Sequence, residues 1–515
     1  MQKKLILGPP GTGKTTALIE VVADLLSKGV PPEKIAYVSF TRKAAEEARD
    51  RAREKFPKLP LSSFDNFRTL HSLAYRELGL RQSDVMTSHN WEDISEMTGR
   101  QLSPDAFNDG IDGDNIISFH LHMARAMCRT YAEHFQIVSS SLSSRKFNFG
   151  AMRRGGSLAD FVKLGEFIDD YKANASLLDF SDMLIHGSNC EPIDVDYAII
   201  DEAQDLSRLQ WRFCKSIFSK CERVWIAGDD DQAIYSWAGA DLYTFRHMDA
   251  EREVLEHSWR LPQKIWEVAC GIVNNIEDRY EKDWGPREDE GEVRWVSDLS
   301  ECPLDNNETW YLLTRTKSLQ QGLVHWLRGH GYTYLRDGRH SVRSEHLYLA
   351  RAWTRLLRGE YVTAAQARAL YESMRDDQVT RQGRKIIQQL EPDHRLRMQE
   401  LVSDYGLLVD RGVWNDVLTI DRVDSQYYKA VKERSGVQAL IEEPKIKINT
   451  IHGVKGGEAD NVYFSNSMGQ RPHRNFKAGY TRDDEARIFY VAATRAKKRL
   501  FIKPSLQCAF PMPTF

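Results

Sequence analysis

The segment from Gly8 to Thr16 has the residue types and spacing of a phosphate-binding loop. Residues 8–15 read Gly-Pro-Pro-Gly-Thr-Gly-Lys-Thr, which fits the pattern G-x-x-x-x-G-K-[ST]. Glycines in such a loop let backbone N–H groups close around the β- and γ-phosphates of a nucleotide. Lys14 would add a positive charge, and the Thr15 hydroxyl suits Mg²⁺. The pattern therefore predicts a nucleoside triphosphate site that uses Mg²⁺.

Two acidic residues directly after an apolar run are the candidates for metal binding and proton transfer. The run Tyr197–Ile200 is followed by Asp201 and Glu202. Carboxylates at the carboxyl end of a buried strand lie in the crevice where α/β sheets bind ligands. Asp201 would hold Mg²⁺ together with Thr15, and Glu202 could orient and deprotonate an attacking water. Such a pair alone is often a surface turn, but its combination with the phosphate loop favours the catalytic interpretation.

A third polar segment follows the apolar run at residues 224–227. It contains three aspartates at 229–231 and then Gln232. A neutral amide at the end of a strand can respond to a γ-phosphate without titrating, so Gln232 is a candidate sensor. The three aspartates could instead form a solvated turn.

The elements that must position these residues alternate between strand and helix patterns. A short buried strand is predicted before the phosphate loop, and apolar residues at helical spacing follow the loop as far as Gly29. Other strand patterns lie at residues 35–40, 197–200, 224–227, 310–313, 462–464 and 500–502, and a helix is predicted over 484–497.

Two long stretches interrupt this alternation. Residues from about 86 to 175 and from about 343 to 440 are helix-like, and the second stretch has no strand signal of note. The sequence therefore predicts an α/β fold with two sheet-containing cores, each of which carries a mostly helical insertion.

Length and composition restrict the class of protein. A chain of 515 residues is too long for one core, so three or four domains are expected. No apolar run is long enough to span a bilayer, and the early first strand leaves no room for a signal peptide. Seven scattered cysteines without a C-x-x-C pair predict reduced thiols in a cytoplasmic setting. The net charge of −3 provides no argument for a nucleic-acid partner.

Ten ordered segments give the chain a specific resemblance. It resembles superfamily 1 DNA helicases of the UvrD/Rep/PcrA type and looks like a compact member of that group. The matching segments are residues 8–16, 39–45, 69–74, 178–182, 201–205, 228–239, 258–260, 313–316, 450–458 and 490–496.

The resemblance implies two RecA-like parallel-sheet domains, each with a mostly helical insertion. The implied boundaries are 1–85 for the first part of core 1, 86–175 for its helical insertion, 176–254 for the second part of core 1, 255–342 for the first part of core 2, 343–440 for a reduced helical insertion, and 441–515 for the second part of core 2. No nuclease domain is expected after Phe515.

The resemblance also implies roles in the nucleotide site. Arg260 and Arg495 match arginines that the second core supplies to the γ-phosphate, and Glu458 matches a residue that meets the ribose. Trp259 stands where the family usually has tyrosine and would stack on the adenine. The implied nucleotide-binding set is Gly8, Pro9, Pro10, Gly11, Thr12, Gly13, Lys14, Thr15, Thr16, Trp259, Arg260, Glu458 and Arg495, and the implied catalytic set is Lys14, Glu202, Gln232, Arg260 and Arg495.

Three of these assignments have a plainer alternative. Arg260 could cap a helix, Arg495 could belong to a basic helix end, and Trp259 could be a buried core residue.

Seven positions match residues that contact single-stranded DNA in the family. Aromatic side chains there stack on successive bases, whereas polar and basic side chains mostly contact backbone phosphate. The matching residues are Thr41, Arg42, His71, Tyr235, Trp237, Arg315 and His452. His71 and His452 could alternatively be packing histidines.

The function implied by the resemblance is ATP- and Mg²⁺-dependent 3′→5′ movement on single-stranded DNA with unwinding, in DNA replication, repair or recombination. Single-stranded DNA and junctions of single- and double-stranded DNA are the expected partners, no membrane is expected, and an accessory or loading protein is left open. Two alternatives also stay open: a translocase that strips proteins with little unaided unwinding, and a nucleotide-gated subunit of a repair or phage-defence assembly.

Four departures from the family pattern bear on this expectation. Almost no chain precedes the phosphate loop, where relatives carry a glutamine segment that reads adenine, so the preference for ATP is open. Gly456 and Gly457 precede Glu458 where bulkier residues are usual, and Leu70 replaces a common phenylalanine. The second insertion is short and lacks the Gly-Ile-Gly segment with which larger relatives approach duplex DNA.

Overall fold

The computed structural model describes residues 2–103, 115–140, 157–479 and 481–513, without the side chains of Lys43, Leu61 and Asn115. The contacts between residues divide the chain into two compact units. Unit 1 comprises Met1–Glu292, Gln470–Lys498 and Phe510–Phe515, and unit 2 comprises Val293–Gly469 and Arg499–Ala509. Among the residues described, no helix combines the length and apolar character that crossing a bilayer requires.

The strands are numbered in chain order. They are β1 (Gln2–Leu7), β2 (Ile35–Ser39), β3 (Phe67–Thr69), β4 (Tyr197–Asp201), β5 (Arg223–Gly228), β6 (Glu251–Val254), β7 (Glu292–Trp295), β8 (Trp310–Thr314), β9 (Leu335–Arg336), β10 (Arg339–His340), β11 (Val362–Thr363), β12 (Arg395–Leu396), β13 (Ile446–Thr450), β14 (Ala459–Ser465) and β15 (Ala496–Lys503).

The α-helices are numbered in the same way. They are α1 (Lys14–Ser27), α2 (Arg42–Lys55), α3 (Leu70–Glu77), α4 (Ser88–Thr98), α5 (Asn115–Ala126), α6 (Tyr131–Ser139), α7 (Leu158–Ala175), α8 (Phe180–Gly187), α9 (Arg208–Ile217), α10 (Leu242–Arg246), α11 (Gln263–Val273), α12 (Gln320–Gly329), α13 (Ser344–Leu357), α14 (Ala364–Glu372), α15 (Arg381–Ile386), α16 (Met398–Ser403), α17 (Trp414–Val417), α18 (Arg422–Ser435), α19 (Gln470–Lys477) and α20 (Arg482–Ala493).

The sheet of unit 1 is parallel, with the strand order β3-β2-β4-β5-β1-β6. Alternate residues of its strands enter two separate cores. Leu5 and Leu7 pack with one apolar cluster, whereas Ile6 packs with the other. Helices therefore cover both faces, which is why the central strands read as continuous apolar runs. The predicted α/β class is confirmed.

Within the described residues, the stretch predicted as the first insertion contains helices and no strand. Helices α4 to α7 contribute to an apolar cluster that includes Trp91, Ile94, Phe161 and Ile168. Residues 104–114 and 141–156 of this stretch lie outside the described part of the chain.

Unit 2 contains a seven-stranded sheet with the order β10-β9-β13-β8-β14-β15-β7. Strands β9, β13, β8 and β14 pair in parallel, and β9 and β10 form an antiparallel pair. The stretch from 344 to 435 is largely helical, but β11 and β12 form an antiparallel pair within it. The prediction of no strand there was wrong, because two-residue strands are too short to show an alternating pattern.

Two predicted helix ends can be compared with the structure. Helix α1 ends at Ser27, and Gly29 has φ +84°, as expected for a helix stop. Helix α20 ends at Ala493 instead of residue 497, because Ala496 already begins a strand.

The contact-based division differs from the predicted domain boundaries in one respect. Three segments that were predicted to belong to core 2, residues 255–292, Gln470–Lys498 and Phe510–Phe515, group with the phosphate loop in unit 1. Their assignment to a second RecA-like core stays a prediction.

Trp310 tests the core of unit 2. It is fully buried in β8 and stacks on Phe501 with ring centroids 5.3 Å apart. We expect Trp310→Ala to lower the free energy of unfolding by ~3–5 kcal/mol, because truncation of a buried tryptophan leaves a cavity. The matched control is Trp295→Ala, since Trp295 is 43% exposed in the same unit and should cost less than about 1 kcal/mol. Urea unfolding followed by circular dichroism would measure the stability of both variants. Equal urea midpoints for Trp310→Ala and Trp295→Ala would contradict this description of the core.

Candidate active site

The phosphate loop connects β1 to α1 and is anchored at both ends. The Gly8 N–H donates to the Gly228 carbonyl at 3.0 Å, which ties the loop to the end of β5. The Lys14 Nζ donates to the Gly8 carbonyl at 2.6 Å, so the ammonium lies against the loop that it is predicted to serve. Because Lys14 is the first residue of α1, the loop leads directly into a helix N-terminus, where anions are stabilised.

Two glycines of the loop are required by close contacts. A Cβ at Gly8 would overlap the Lys14 side chain. Gly11 has φ +76°, and a Cβ there would overlap the Cβ of Arg260. The loop therefore packs against the segment that contains Arg260, and substitution at either glycine would displace a predicted site residue.

Asp201 ends β4 and lies next to the start of α1. Its Oδ2 accepts hydrogen bonds from the Thr15 hydroxyl at 3.4 Å and from the Tyr37 hydroxyl at 2.7 Å. Burial and the neighbouring Glu202 charge raise the pKa of Asp201 to about 6. Hydroxyl and carboxylate oxygens are the hard ligands that Mg²⁺ prefers, so the donor set fits the predicted metal site. A bound cation would favour the ionised form of the carboxyl group.

Glu202 adopts a backbone conformation that is uncommon for a side chain of its size. Its φ of +53° lies in the left-handed region, and its N–H donates to the Asp201 Oδ1 at 2.8 Å. Gln204 donates from Nε2 to the Glu202 Oε2 at 2.5 Å. Strain of this kind persists where surrounding contacts hold a functional residue in place.

Gln204 also connects the Glu202 region to the predicted sensor. Its Oε1 accepts from the Asp229 N–H at 3.1 Å, and the Asp229 Oδ2 accepts from the Gln232 Nε2 at 2.7 Å. Neither Gln204 nor Asp229 was predicted from the sequence to belong to the site. The signal that could have identified them is their closeness in sequence to Glu202 and Gln232, which were predicted site residues.

Arg495 lies beside Gln232 although the two residues are far apart in sequence. Its Nη2 donates to the Gln232 Oε1 at 2.9 Å, and its Nε donates to the Val491 carbonyl at 3.1 Å. Arg495 is only 2% exposed and follows the end of α20, where its Nε bonds a carbonyl of the last helical turn, so the helix-end interpretation and the predicted role in the nucleotide site both remain open. The structure thus brings the predicted arginine and the predicted sensor together.

The segment 258–260 packs directly on the phosphate loop. The Ser258 hydroxyl donates to the Pro10 carbonyl at 2.8 Å, and the Trp259 N–H donates to the Gly11 carbonyl at 2.9 Å. Trp259 is 72% exposed, so its alternative interpretation as a buried core residue is wrong. The exposed ring lies close to Gly13, and its stacking on adenine stays a prediction.

Two residues of unit 1 that are predicted to contact DNA line one cavity, and Trp237 lies beside one of them. The Tyr235 ring stacks on Phe40 with centroids 5.9 Å apart and lies 6.3 Å from Trp237. His71 and Tyr235 both line a cavity of about 270 Å³. Burial lowers the pKa of His71 to about 4, so its imidazole is neutral at pH 7 and would contact DNA as a hydrogen-bond partner and not as a cation.

Thr41 and Arg42 stand at the exposed start of α2. The Thr41 hydroxyl caps the helix by accepting from the Ala44 N–H at 3.2 Å, and Arg42 pairs with Glu46 at 2.8 Å. Both residues are accessible, and their contacts with DNA stay predictions.

The remaining predicted residues lie in unit 2. Arg315 follows β8 and His452 follows β13, and these two strands are adjacent and parallel. Burial and the Arg315 charge lower the pKa of His452 to about 3, so this imidazole is also neutral at pH 7. Glu458 is exposed just before β14, and its contact with a ribose stays a prediction.

Two family models match most of the sheet-forming part of the chain. The UvrD/REP helicase N-terminal domain matches residues 1–253, and the UvrD-like helicase C-terminal domain matches residues 427–507. The chain belongs to the UvrD/Rep helicase family.

Curated relatives agree with this membership. A probable DNA helicase II homolog of Rickettsia felis is 26% identical over 331 residues, which is 60% of this chain and 47% of the relative. DNA helicase II of Haemophilus influenzae is 25% identical over 54% of this chain and 39% of the relative. ATP-dependent DNA helicase Rep of Buchnera aphidicola subsp. Baizongia pistaciae is 23% identical over 53% and 41%. The chain spans about half the length of the curated relatives it matches.

Glu202 provides the test of the candidate active site. We expect Glu202→Gln to lower the rate of ATP hydrolysis by ~10²–10⁴-fold while nucleotide binding is retained, because only the proton acceptor is lost. Phosphate release and titration with a fluorescent ATP analogue would measure the two properties.

The matched control for Glu202→Gln is Glu251→Gln. Glu251 is an exposed carboxylate of the same sheet that pairs with Arg223. Its substitution should leave both properties unchanged, and an equal loss of hydrolysis in the two variants would contradict the role of Glu202.

Proposed function

We propose that this protein is a Mg²⁺- and ATP-dependent DNA helicase that moves 3′→5′ along single-stranded DNA. It would act in the cytoplasm, in DNA replication, repair or recombination. The observation that carries the proposal is the contact between Arg495 and Gln232 at the edge of the sheet that also holds the phosphate loop. The names of the relatives, DNA helicase II and Rep, support the same function.

Each residue around the loop would have a different role in ATP hydrolysis. The loop N–H groups and Lys14 would hold the phosphates, and Glu202 would accept a proton from the attacking water. Thr15 and Asp201 would hold Mg²⁺, which neutralises charge on the phosphates when bound. Arg495 would stabilise the charge that develops on the transferred phosphoryl group, as an arginine finger does.

The segment that contains Gln232 would connect the nucleotide site to DNA, because two aromatic residues follow Gln232 closely. Tyr235 and Trp237 lie three and five positions after Gln232. The Tyr235 ring packs on Phe40, whereas Trp237 packs against Phe119 and Met123 of α5. Only a few backbone bonds and packed side chains therefore separate the Gln232 amide from two aromatic rings that would contact bases, so a displacement of the amide would reach the rings over a short distance.

One alternative is supported by a particular feature. The stretch 344–435, which corresponds to the second insertion, has helices of at most 14 residues and includes several short ones. A small insertion favours a translocase that moves on single strands and strips proteins but unwinds poorly without an accessory protein.

The proposed function predicts how hydrolysis responds to nucleic acid. The ATPase rate should rise with single-stranded DNA and saturate, and duplex DNA and RNA should stimulate it less. Single-turnover strand displacement with 3′ and 5′ overhangs would then distinguish a helicase from a stripping translocase and would give the polarity. An ATPase rate indifferent to single-stranded DNA would reject both motors in favour of a nucleotide-gated subunit.

Trp237 tests the aromatic contact with the strand. We expect Trp237→Ala to raise the single-stranded DNA concentration for half-maximal ATPase by roughly fivefold or more, because stacking on a base contributes about 1–3 kcal/mol. Basal hydrolysis should change little. Tyr243→Ala is the control, since Tyr243 is an exposed aromatic residue on the nearby helix α10. A basal rate that falls as much as the DNA response would contradict a role for Trp237 in DNA contact.

A further inference from the structure

Three consecutive aspartates, 229–231, surround a buried lysine in unit 1. Their carboxylate oxygens lie close enough together to hold one cation. The Lys282 Nζ occupies this position, at 3.1 Å from Asp229, 2.6 Å from Asp230 and 2.7 Å from Asp231. The Lys282 side chain and the aspartates are almost completely buried, so the interpretation of this segment as a solvated turn was wrong.

Two arginines extend the cluster on the side of Asp230 and Asp231. Arg246 Nε lies 3.9 Å from the Asp230 Oδ2. Arg279 donates from Nε and Nη2 to the two carboxylate oxygens of Asp231, at 2.9 and 2.7 Å. A buried ion cluster gains little net stability over apolar packing, because desolvation offsets the attraction. Its presence therefore suggests a requirement for orientation at a nearby group.

That nearby group is the Gln232 amide, which lies between an acceptor and a donor. The ionised Asp229 carboxylate can only accept, so it faces the Gln232 Nε2 at 2.7 Å. The Arg495 guanidinium can only donate, so it faces the Gln232 Oε1 at 2.9 Å. These two neighbours together favour one of the two flip states of the amide.

This arrangement requires Asp229 to remain charged in a buried site. Burial disfavours the charged form, but the Lys282 and Lys14 charges outweigh it and lower the pKa of Asp229. The pKa of Asp230, by contrast, is raised by burial and by the two neighbouring carboxylates. Lys282 thus keeps the negative charge on the aspartate that contacts Gln232.

We propose that Lys282 is a positioning residue for ATP hydrolysis: it holds Asp229 as a pure acceptor and thereby fixes the Gln232 amide with its carbonyl toward Arg495. This inference rests on the proposed function, because it assumes that Gln232 and Arg495 act on the γ-phosphate. Neither Lys282 nor Arg279 is among the residues that would touch the nucleotide.

The first test compares Lys282→Met with Arg279→Met in the full chain. Both variants remove one cation from the same cluster, but only Lys282 contacts Asp229. We expect Lys282→Met to lower the basal kcat for ATP about tenfold or more, with KM and the affinity for a fluorescent ATP analogue within about twofold. Arg279→Met should keep kcat within about twofold at a similar melting temperature. Equal losses of kcat in both variants would overturn the proposal.

A second variant covers the case in which Lys282→Met fails to fold. Asp229→Asn keeps the shape of the side chain but introduces a donor, so the Gln232 amide is no longer fixed. Asp229→Asn should lower kcat with little change in KM, and a wild-type kcat would overturn the proposal. If Lys282→Met folds, the double variant should be no slower than the slower single variant, because both act through one contact. Fully additive losses would instead show that Lys282 acts elsewhere.

These measurements use basal hydrolysis without DNA, which separates the inference from the proposed function. An ATPase that DNA does not stimulate would remove the motor function and leave the comparison of Lys282→Met with Arg279→Met intact. A DNA-stimulated wild type whose Lys282 and Asp229 variants keep normal basal kcat would reject the positioning role alone.

Discussion

The order β4-β5-β1 within one parallel sheet is the constraint on which the candidate active site depends. Parallel strands end on the same side, so the segments that follow three neighbouring strands meet at one edge. Leu7 pairs with Gly228, and Ile200 pairs with Ile226, so the three strands end at nearly the same level. Backbone pairing therefore brings together the phosphate loop, the acidic pair and the sensor segment, which are distant in sequence.

Burial strengthens the hydrogen bonds and ion pairs at this edge of the sheet, and it also requires each polar group there to have a partner. A hydrogen bond or an ion pair is stronger away from water, but a buried group without partners is costly. Asp229, Gln232 and Arg495 are each buried. Gln232 donates a hydrogen bond to Asp229 and accepts one from Arg495. An arginine held in this way keeps its geometry at little entropic cost, which suits the role proposed for Arg495, the stabilisation of charge in the transition state.

The sequence predicted what depends on local patterns. The phosphate loop, the apolar strands and the Asp201–Glu202 pair were recognisable because spacing over a few residues determines each of them. The contact between Arg495 and Gln232 spans 263 positions and was available only through a family resemblance. The left-handed Glu202 and the burial of Lys282 could not be predicted, since both result from tertiary packing around residues that are common in exposed turns.

The hydrogen bonds at this edge also connect the two ends of the proposed chemistry. Glu202 accepts from Gln204, Gln204 accepts from the Asp229 N–H, and Asp229 accepts from Gln232. Each link is short and lies on a strand end or tight turn, so the proposed function would use these hydrogen bonds to couple the positions of their members. Under the proposed function, the group that activates water and the group that senses the γ-phosphate are therefore not independent. The state of the nucleotide would reach the Tyr235 ring through Gln232 and a backbone step of three residues, without a large rearrangement of the sheet.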